Sequence, residues 1–239
     1  MASFNSNSSS SLPPNVHVST HPCLRAKLSQ LRSHTTNARE TKLLIHEIAL
    51  IVGCEALATG LESVVDGTDQ SPLGYDYDRD TIAPSTISLV PILRSGLGMV
   101  EALQAILPNP VPVQHLGLYR EKTTLQPVEY YNNLPYHRPS ASNPANAPGP
   151  SELAILVDPV IATGATACAA IDTLKDWGVR RIILCCVIAS EGGLRRAAAE
   201  WSEGVEVWAG GMDRECDARG MIKPGLGDVG DRLFLTMGK

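Results

Sequence analysis

The stretch from Leu156 to Ala167, LVDPVIATGATA, joins the end of an apolar strand to an acid, a proline and a run of small residues. The segment ELAILV (152–157) is almost wholly apolar, as expected of a strand covered on both faces of a parallel sheet. A predicted helix follows from Thr166 to Trp177. Ligands of such sheets bind beyond the carboxyl ends of the strands. The loop 158–166 is therefore predicted to lie at a binding edge.

The rest of the chain repeats this alternation of apolar strands and helices. Further strands are predicted at 86–93, 111–120, 125–134, 181–189 and 205–210, and further helices at 22–58, 99–107 and 191–201. We expect 111–120 and 125–134 to pair as a long hairpin. The helical stretch 40–58 is so apolar that it should pack on the sheet or on another subunit. The pattern predicts a single α/β domain with a parallel sheet.

Three polar segments interrupt the pattern. Residues 1–20 are rich in Ser and Asn and contain no Lys or Arg, so we predict a disordered tail, followed by a domain over 21–239. The tail also lacks the features of a secretory or mitochondrial signal. Residues 60–84 are predicted to form a long loop, and 138–150 a surface insertion rich in Pro, Ala and Asn.

Composition limits the classes of function. The net charge of −5 argues against nucleic-acid binding, which needs concentrated Lys and Arg. No apolar run approaches the roughly 18–20 residues that span a bilayer, so no membrane partner is expected. The six cysteines form no C-x-x-C pair and no zinc-ligand spacing. Reduced thiols and a cytoplasmic protein are predicted.

The loop 158–166 has the chemistry of a phosphate site. Backbone N–H groups of residues 163–166 open a helix, where an anion is stabilised. Gly164 leaves room for close approach, while Thr163 and Thr166 offer hydroxyls. Asp158 could accept hydrogen bonds from sugar hydroxyls. The alternative is a simple strand-to-helix turn with a threonine cap. The loop matches neither G-x-G-x-x-G nor a Walker sequence.

Four ordered motifs resemble the uracil phosphoribosyltransferase family over residues 21–239. They are VDPVIATGATA (157–167), VPILRSGLGMVEAL (90–103), HLGLYREKTTLQPVEYYNNLP (115–135) and GMIKPGLGDVGDRLF (220–234). The first is similar to the loop with which that family binds phosphoribosyl pyrophosphate (PRPP). The resemblance implies a type I phosphoribosyltransferase-like fold, in which helices cover both faces of the parallel sheet. It also implies a β-hairpin arm and a C-terminal hood loop.

The same resemblance assigns roles in binding PRPP. Asp158 would hold the ribose hydroxyls, and Ala162 to Thr166 would surround the 5′-phosphate. Arg94 and Arg120 would stabilise the departing pyrophosphate, although either could instead be a solvated surface arginine. The implied PRPP-binding set is Arg94, Arg120, Asp158, Pro159, Val160, Ile161, Ala162, Thr163, Gly164, Ala165, Thr166 and Asp228. Mg²⁺ is the implied cofactor, bound mainly through PRPP and not by protein ligands.

The sequence PGLGDVGDR (224–232) is implied to bind the base. Its glycines let the backbone wrap a flat ligand, and backbone groups can match O2, N3–H and O4 of uracil. The implied uracil contacts are Ile222, Gly227, Asp228 and Val229. Asp228 could help N1 of uracil lose its proton or could accept a metal-bound water, and both roles stay open. The implied catalytic set is Asp228, Asp158, Arg94 and Arg120.

The implied reaction converts uracil and PRPP to uridine monophosphate (UMP) and pyrophosphate. Family resemblance also implies a homodimer or homotetramer and a possible GTP effector. Met221 stands where the family has tyrosine, and Ala165 where it has glycine. Ala165 is expected to strain the loop if a positive φ is needed there. Two alternatives stay open: a phosphoribosyltransferase for another pyrimidine base, and a non-catalytic nucleotide-binding or regulatory homologue.

Overall fold

The computed structural model describes residues 11–121, 126–135 and 149–236. The helices are α1 (Pro22–Arg32), α2 (Ala38–Gly60), α3 (Leu97–Ile106), α4 (Ala165–Trp177), α5 (Glu191–Glu200) and α6 (Val229–Phe234). The strands are β1 (Val16–Val18), β2 (Glu62–Gln70), β3 (Asp76–Ala83), β4 (Ile87–Leu93), β5 (Leu116–Arg120), β6 (Pro127–Asn132), β7 (Leu153–Val157), β8 (Val160–Ile161), β9 (Arg181–Cys186), β10 (Ile188–Ser190), β11 (Val205–Ala209), β12 (Met212–Asp213), β13 (Glu215–Cys216) and β14 (Ile222–Lys223).

The main sheet has seven strands in the order β1-β11-β9-β7-β4-β5-β6. Every neighbouring pair is parallel except β5 with β6, which form the antiparallel hairpin arm. The predicted α/β class, with its largely parallel sheet and hairpin arm, is confirmed. The arm is shorter than predicted, since β5 begins at residue 116 and not at 111.

Strand β7 explains why its sequence is almost continuously apolar. Leu153, Ile155 and Val157 enter one hydrophobic cluster, together with residues of α1, α2 and α3. Ala154 and Leu156 enter a second cluster with residues of α4 and α5. Because successive side chains point to opposite faces, a strand covered by helices on both sides must be apolar at every position.

The predicted helix 22–58 is two helices. Asn37 begins α2 with a capping box: its side chain accepts a hydrogen bond from Glu40 N, and the Glu40 carboxylate accepts one from Asn37 N, both at 3.0 Å. The expectation that no apolar run approaches membrane-spanning length is wrong for α2, which by length and composition is apolar enough to cross a membrane. Its buried face, however, packs in the chain's own core against the sheet. Packing on the sheet, one of the two expected positions, is therefore confirmed.

The expectation of a long loop over 60–84 is wrong. Strands β2 and β3 pair antiparallel there, joined by a turn in which Ser71 N donates to Tyr75 O at 2.8 Å. Every residue of β2 is exposed. With no buried face the hairpin carries no apolar alternation, which is the signal that identifies a strand in sequence.

The predicted disordered tail is wrong for residues 16–18. These residues form β1, which pairs with β11 at the edge of the main sheet. The Asn15 side chain donates to Ala198 O and to Val205 O, each at 3.0 Å. Three strand residues are too few for a recognisable period, so this edge strand has no signal in the sequence. Residues 1–10 lie outside the described residues, as does most of the predicted insertion 138–150.

Strand order places a binding crevice between β4 and β7. The chain leaves β4 towards β5 and leaves β7 towards β9, which lie on opposite sides of this pair. Crevices at such a switch point are where open α/β sheets bind ligands. A small parallel sheet, β12-β10-β8, continues the structure beyond the carboxyl edge.

We expect Asn15→Ala to lower the free energy of unfolding by ~1–2 kcal/mol, because two hydrogen bonds that tie the N-terminal segment to β11 and α5 are lost. Urea unfolding followed by circular dichroism measures this change. Asn109→Ala, at an exposed loop position, is the matched control and should have little effect. Equal stability of the two variants would mean that these two side-chain hydrogen bonds do not stabilise the fold.

Candidate active site

A cavity of about 270 Å³ lies in the crevice between β4 and β7. Its walls come from the turns after these two strands, from the hairpin arm and from the C-terminal region. The residues that line it are Ile92, Leu93, Ser95, Leu118, Asp158, Val160, Ile161, Ala162, Thr163, Gly164, Thr166, Ala167, Gly220, Met221, Gly227, Asp228, Val229 and Gly230. One space therefore joins most of the predicted phosphate loop to the predicted base loop.

Glycine is required at the end of the phosphate loop. Gly164 has φ +78°, and a Cβ there would lie 2.9 Å from the Gly193 carbonyl oxygen. Both its conformation and its surroundings therefore exclude a side chain. Ala165, by contrast, is the first residue of α4 and does not have positive φ. The strain expected from Ala165 is absent, because the left-handed residue is the one before it.

The N-terminus of α4 is open towards the cavity. Gly164 is the N-cap residue, no side chain caps the helix, and its first turn contains no acidic residue. The first N–H groups of an α-helix have no partner within the helix. These donors and the positive end of the helix dipole leave a place for an anion beside Thr163 and Thr166.

Asp158 is a buried carboxylate at the end of β7. It is 9% exposed, and Ser95 Oγ donates to its Oδ1 at 3.0 Å. Burial raises the pKa of Asp158 to about 7, although hydrogen bonds from Ser95 and from the backbone of Val160 oppose the shift. The carboxyl is therefore poised to exchange a proton near neutral pH.

Ser190 supports the phosphate loop from behind, and the sequence reasoning missed it. Its hydroxyl donates to Ala162 O at 2.6 Å and accepts from Gly193 N at 2.9 Å. The second bond makes Ser190 the N-cap of α5. A serine at a strand-to-helix boundary could have been recognised as a cap, but its bond to a loop 28 residues away could not.

Arg94 is not among the described residues that line the cavity. Arg94 lies just after β4 with its guanidinium 3.9 Å from Asp231 Oδ1, 3.5 Å from Thr236 Oγ1 and 5.9 Å from the centre of the Phe234 ring. It therefore rests on the C-terminal segment. Arg120 is the last residue of β5, opposite Pro127, and its side chain lies outside the described part of the chain.

Gly227, Asp228 and Val229, which belong to the predicted base loop, line the cavity. Asp228 Oδ1 also accepts a hydrogen bond from Asp231 N at 3.0 Å, which caps the short helix α6. Ile222 is instead buried in the hydrophobic core, and it does not line the cavity. Pro159 and Ala165 also lie behind the cavity wall.

Met221 and Gly220 form the wall that the sequence assigned to Ile222. A tight turn fixes Met221: its N–H donates to Asp217 Oδ1 at 2.8 Å, and its carbonyl accepts from Asp217 N at 2.7 Å. The hydrogen bond from the Met221 backbone is the main cause that lowers the pKa of Asp217. A methionine thus stands beside the base loop.

Comparisons with known proteins agree with this arrangement. The sequence profile of the uracil phosphoribosyltransferase family matches residues 18–236. A Roseiflexus castenholzii uracil phosphoribosyltransferase is 40% identical over 222 residues, which cover 92% of this chain and 98% of that protein. The Listeria innocua uracil phosphoribosyltransferase is 37% identical, with 93% and 99% covered. A Schizosaccharomyces pombe protein named putative uracil phosphoribosyltransferase urg2 is 36% identical, with 92% and 90% covered.

Among solved structures, the AQ2163 protein from Aquifex aeolicus is similar over 92% of this chain and 98% of its own, with a TM-score of 0.79 and 28% identity. The fold and the matched profile define a phosphoribosyltransferase. Within that class, the chain belongs to the uracil phosphoribosyltransferase family. The family resemblance seen in its motifs is confirmed.

We expect Asp158→Asn to stabilise the protein increasingly as pH rises. With its pKa raised to about 7, the folded Asp158 binds a proton more tightly than the unfolded chain does. Its contribution to stability is therefore complete at acid pH and is lost as pH rises from about 4 to about 7. The asparagine variant loses nothing over this range, so its advantage should grow by ~2–3 kcal/mol between pH 5 and pH 8.

Urea unfolding of both proteins at the two pH values measures this difference. Asp176→Asn, which changes an exposed carboxylate at the far end of α4, is the control and should show no such trend. A constant difference between Asp158→Asn and the wild type would contradict the raised pKa.

Proposed function

We propose that this enzyme transfers the phosphoribosyl group of PRPP to N1 of uracil within the cavity of about 270 Å³, giving UMP and pyrophosphate. The observation that carries the proposal is the meeting of the phosphate loop and the base loop across this one cavity. Holding two reactants in the correct orientation in one water-poor space supplies much of the reduction in the activation barrier of such a transfer. The chemistry requires no covalent intermediate with a protein nucleophile.

The 5′-phosphate of PRPP would bind at the N-terminus of α4. The open first turn, the absence of an acidic residue in it and the two threonine hydroxyls support this placement. The predicted contacts of Val160, Ile161 and Ala162 are consistent with their position in the cavity wall. Pro159 and Ala165 would contribute by shaping the backbone conformation of the loop.

The ribose hydroxyls would bind Asp158. An ionised carboxylate accepts hydrogen bonds from two neighbouring hydroxyls, and its position at the strand end beside the phosphate loop supports this role. Because burial raises its pKa to about 7, the hydroxyl donors would also supply the hydrogen bonds that favour the charged form. Ser95 would keep the carboxylate oriented.

Arg94 and Arg120 would stabilise negative charge on the leaving pyrophosphate. Arg94 is 53% exposed and only 3.9 Å from a competing carboxylate, Asp231. A pyrophosphate carries more charge than this single acid and would attract the guanidinium away from it. Arg120 ends a strand of the hairpin arm, whose Leu118 lines the cavity, and this placement supports its predicted role.

Uracil would lie against the backbone of residues 227–229, with Met221 beside it. Backbone groups can match the donor and acceptor pattern of a neutral base without a charged side chain. Asp228 lies close enough to both substrates' space to take either of its two predicted roles, acid–base help at N1 or a contact with a metal-bound water. The contact predicted for Ile222 stays a prediction.

Mg²⁺ is the proposed cofactor. Among the described residues, no group of three or more His, Cys, Asp or Glu side chains could hold a metal ion. Of the described residues that line the cavity, only Asp158 and Asp228 carry a carboxylate. This donor set fits an ion that arrives on PRPP, with Asp228 accepting a hydrogen bond from a metal-bound water, better than a resident metal. When bound, the ion would neutralise charge on the pyrophosphate.

We propose that the enzyme is a homo-oligomer, a dimer or a tetramer. The hairpin of β2 and β3 supports this, because a two-stranded hairpin is marginally stable alone and Val65, Leu73 and Tyr75 are exposed on it.

Six free cysteines, of which Cys185 and Cys186 are fully buried, support a reducing, cytoplasmic setting. A GTP effector rests on the family resemblance alone and stays a prediction.

We expect the wild-type enzyme to form UMP from labelled uracil, PRPP and magnesium. Asp158→Asn and Asp228→Asn should each lower kcat/KM by ~10²-fold or more, because each removes a charge that acts on bound substrate. Asp176→Asn, an equal change of charge away from the cavity, should leave turnover unchanged.

Met221 in the cavity wall favours one alternative, a preference for another pyrimidine base. The same assay with a panel of labelled pyrimidines distinguishes it. Turnover of another base without turnover of uracil would overturn the proposed substrate and keep the reaction type. PRPP binding without turnover of any base would favour the non-catalytic homologue.

A further inference from the structure

A partly buried ion pair, between Arg32 and Asp213, lies behind the base loop and outside the cavity lining. Asp213 ends β12 and is 9% exposed, and Arg32 is the last residue of α1. The guanidinium donates to both carboxylate oxygens, at 2.9 Å and 2.7 Å. This two-point geometry makes the pair directional as well as strong.

Both members of the pair also bind one residue of the hood loop. The hood loop is defined here as residues 224–232, and it is the segment called the base loop above. Asp213 Oδ2 accepts a hydrogen bond from Gly225 N, and Arg32 Nη1 donates to Gly225 O, each at 3.0 Å. The two backbone polar groups of Gly225 are thus satisfied by the ion pair. Gly225 has φ +62°, and a Cβ there would collide with the Ile222 carbonyl. The ion pair therefore fixes an unusual backbone conformation.

The other end of the hood loop is tied to the same place on α1. Arg232 Nη1 donates to Leu31 O at 2.8 Å and to Leu226 O at 2.9 Å. The cavity-lining residues 227–229 lie between these two attachments. A glycine-rich loop has many conformations to lose when it binds a ligand. Because the loop is attached at both ends, much of this conformational entropy is already lost before the ligand binds, and binding costs less.

The small sheet connects this clamp to the phosphate loop. In the parallel register of β10 with β12, Asp213 is opposite Ser190. Ser190 donates to Ala162 O in the phosphate loop, and β8 pairs with β10 on its other side. One short sheet thus carries the supports of both substrate loops and sets their relative position.

We propose that Asp213 and Arg32 are positioning residues that hold the hood loop in its base-binding conformation and so determine the affinity for the base. This rests on the proposed binding of uracil at residues 227–229. Neither Asp213 nor Arg32 is among the described residues that line the cavity. Their loss should therefore raise KM for uracil, leaving KM for PRPP and the chemical step much less affected.

Steady-state kinetics of Asp213→Ala, Asp213→Asn, Arg32→Ala and Arg32→Lys test this. For either alanine variant we expect KM for uracil to rise ~10-fold, with KM for PRPP and kcat changed ~2-fold or less, because a preorganising contact is lost and no substrate contact is. The conservative variants should recover part of the difference. The double alanine variant should resemble either single one, since each change breaks the same clamp.

Lys27→Ala is the matched control. Lys27 is also on α1 and forms a 2.6 Å ion pair, with Glu47, that does not touch the hood loop. It should leave both KM values unchanged. Equal rises in KM for uracil and PRPP, or lower thermal stability with unchanged kinetics, would overturn the positioning role.

Hydrogen–deuterium exchange of the folded protein separates this inference from the proposed function. Asp213→Asn and Arg32→Lys, the variants expected to fold most readily, should speed amide exchange in peptides covering 224–232 and leave 160–167 protected. Unchanged exchange in the hood loop would overturn the clamp even if uracil is the substrate. A wild-type enzyme inactive on uracil would refute the substrate assignment, while exchange would still decide whether the clamp orders the loop.

Discussion

The parallel pairing of β4 with β7 is the constraint on which the site depends. Its register sets Val90 opposite Leu156 and Pro91 opposite Val157, so the two strands end side by side. The turns that follow must then share one crevice, which is why Ser95 reaches Asp158 across 63 residues of sequence. Apolar side chains on both faces of β7 hold this register, since a one-residue slip would exchange the two buried faces. Core packing and active-site geometry are therefore the same requirement at this point of the sheet.

The same burial that holds the strands together imposes a free-energy cost at the site. Asp158 ends a strand that is buried at every position, and the resulting desolvation raises its pKa to about 7. A single hydroxyl, that of Ser95, and a backbone N–H offset only part of this penalty. In the proposed complex, a sugar that brings two hydroxyl donors would supply the missing hydrogen bonds. Binding of the sugar would thus relieve an unfavourable feature of the folded protein, which is an effective way to favour one ligand.

Local sequence was sufficient for features whose cause is local. The apolar run 152–157, the acid that ends it and the glycine before α4 each predict their own structure. The family motifs supplied the proposed site residues. Ser190, Asp213 and Arg32 could not be found in this way, because each acts on a loop far away in the chain. The β2–β3 hairpin and β1 were missed for another reason: the first buries no face and the second is three residues long. Arg94 was found, but its contact with Asp231 depends on the fold of the C-terminal segment.

Recognition of a neutral base by backbone groups, as proposed, would explain why the hood loop is held from behind by the ion pair of Arg32 and Asp213. A base read by main-chain donors and acceptors needs a backbone that is held still, yet glycines at 225, 227 and 230 make this backbone mobile by nature. Apolar packing cannot hold glycine, which has no side chain to bury. Hydrogen bonds to its N–H and C=O can, and Arg32 with Asp213 supplies both for Gly225. An ion pair that is shielded from water adds little net stability, but its hydrogen bonds are directional. Its use here is consistent with a role in fixing geometry, because directional hydrogen bonds restrict the conformation of a glycine backbone that is otherwise free to vary.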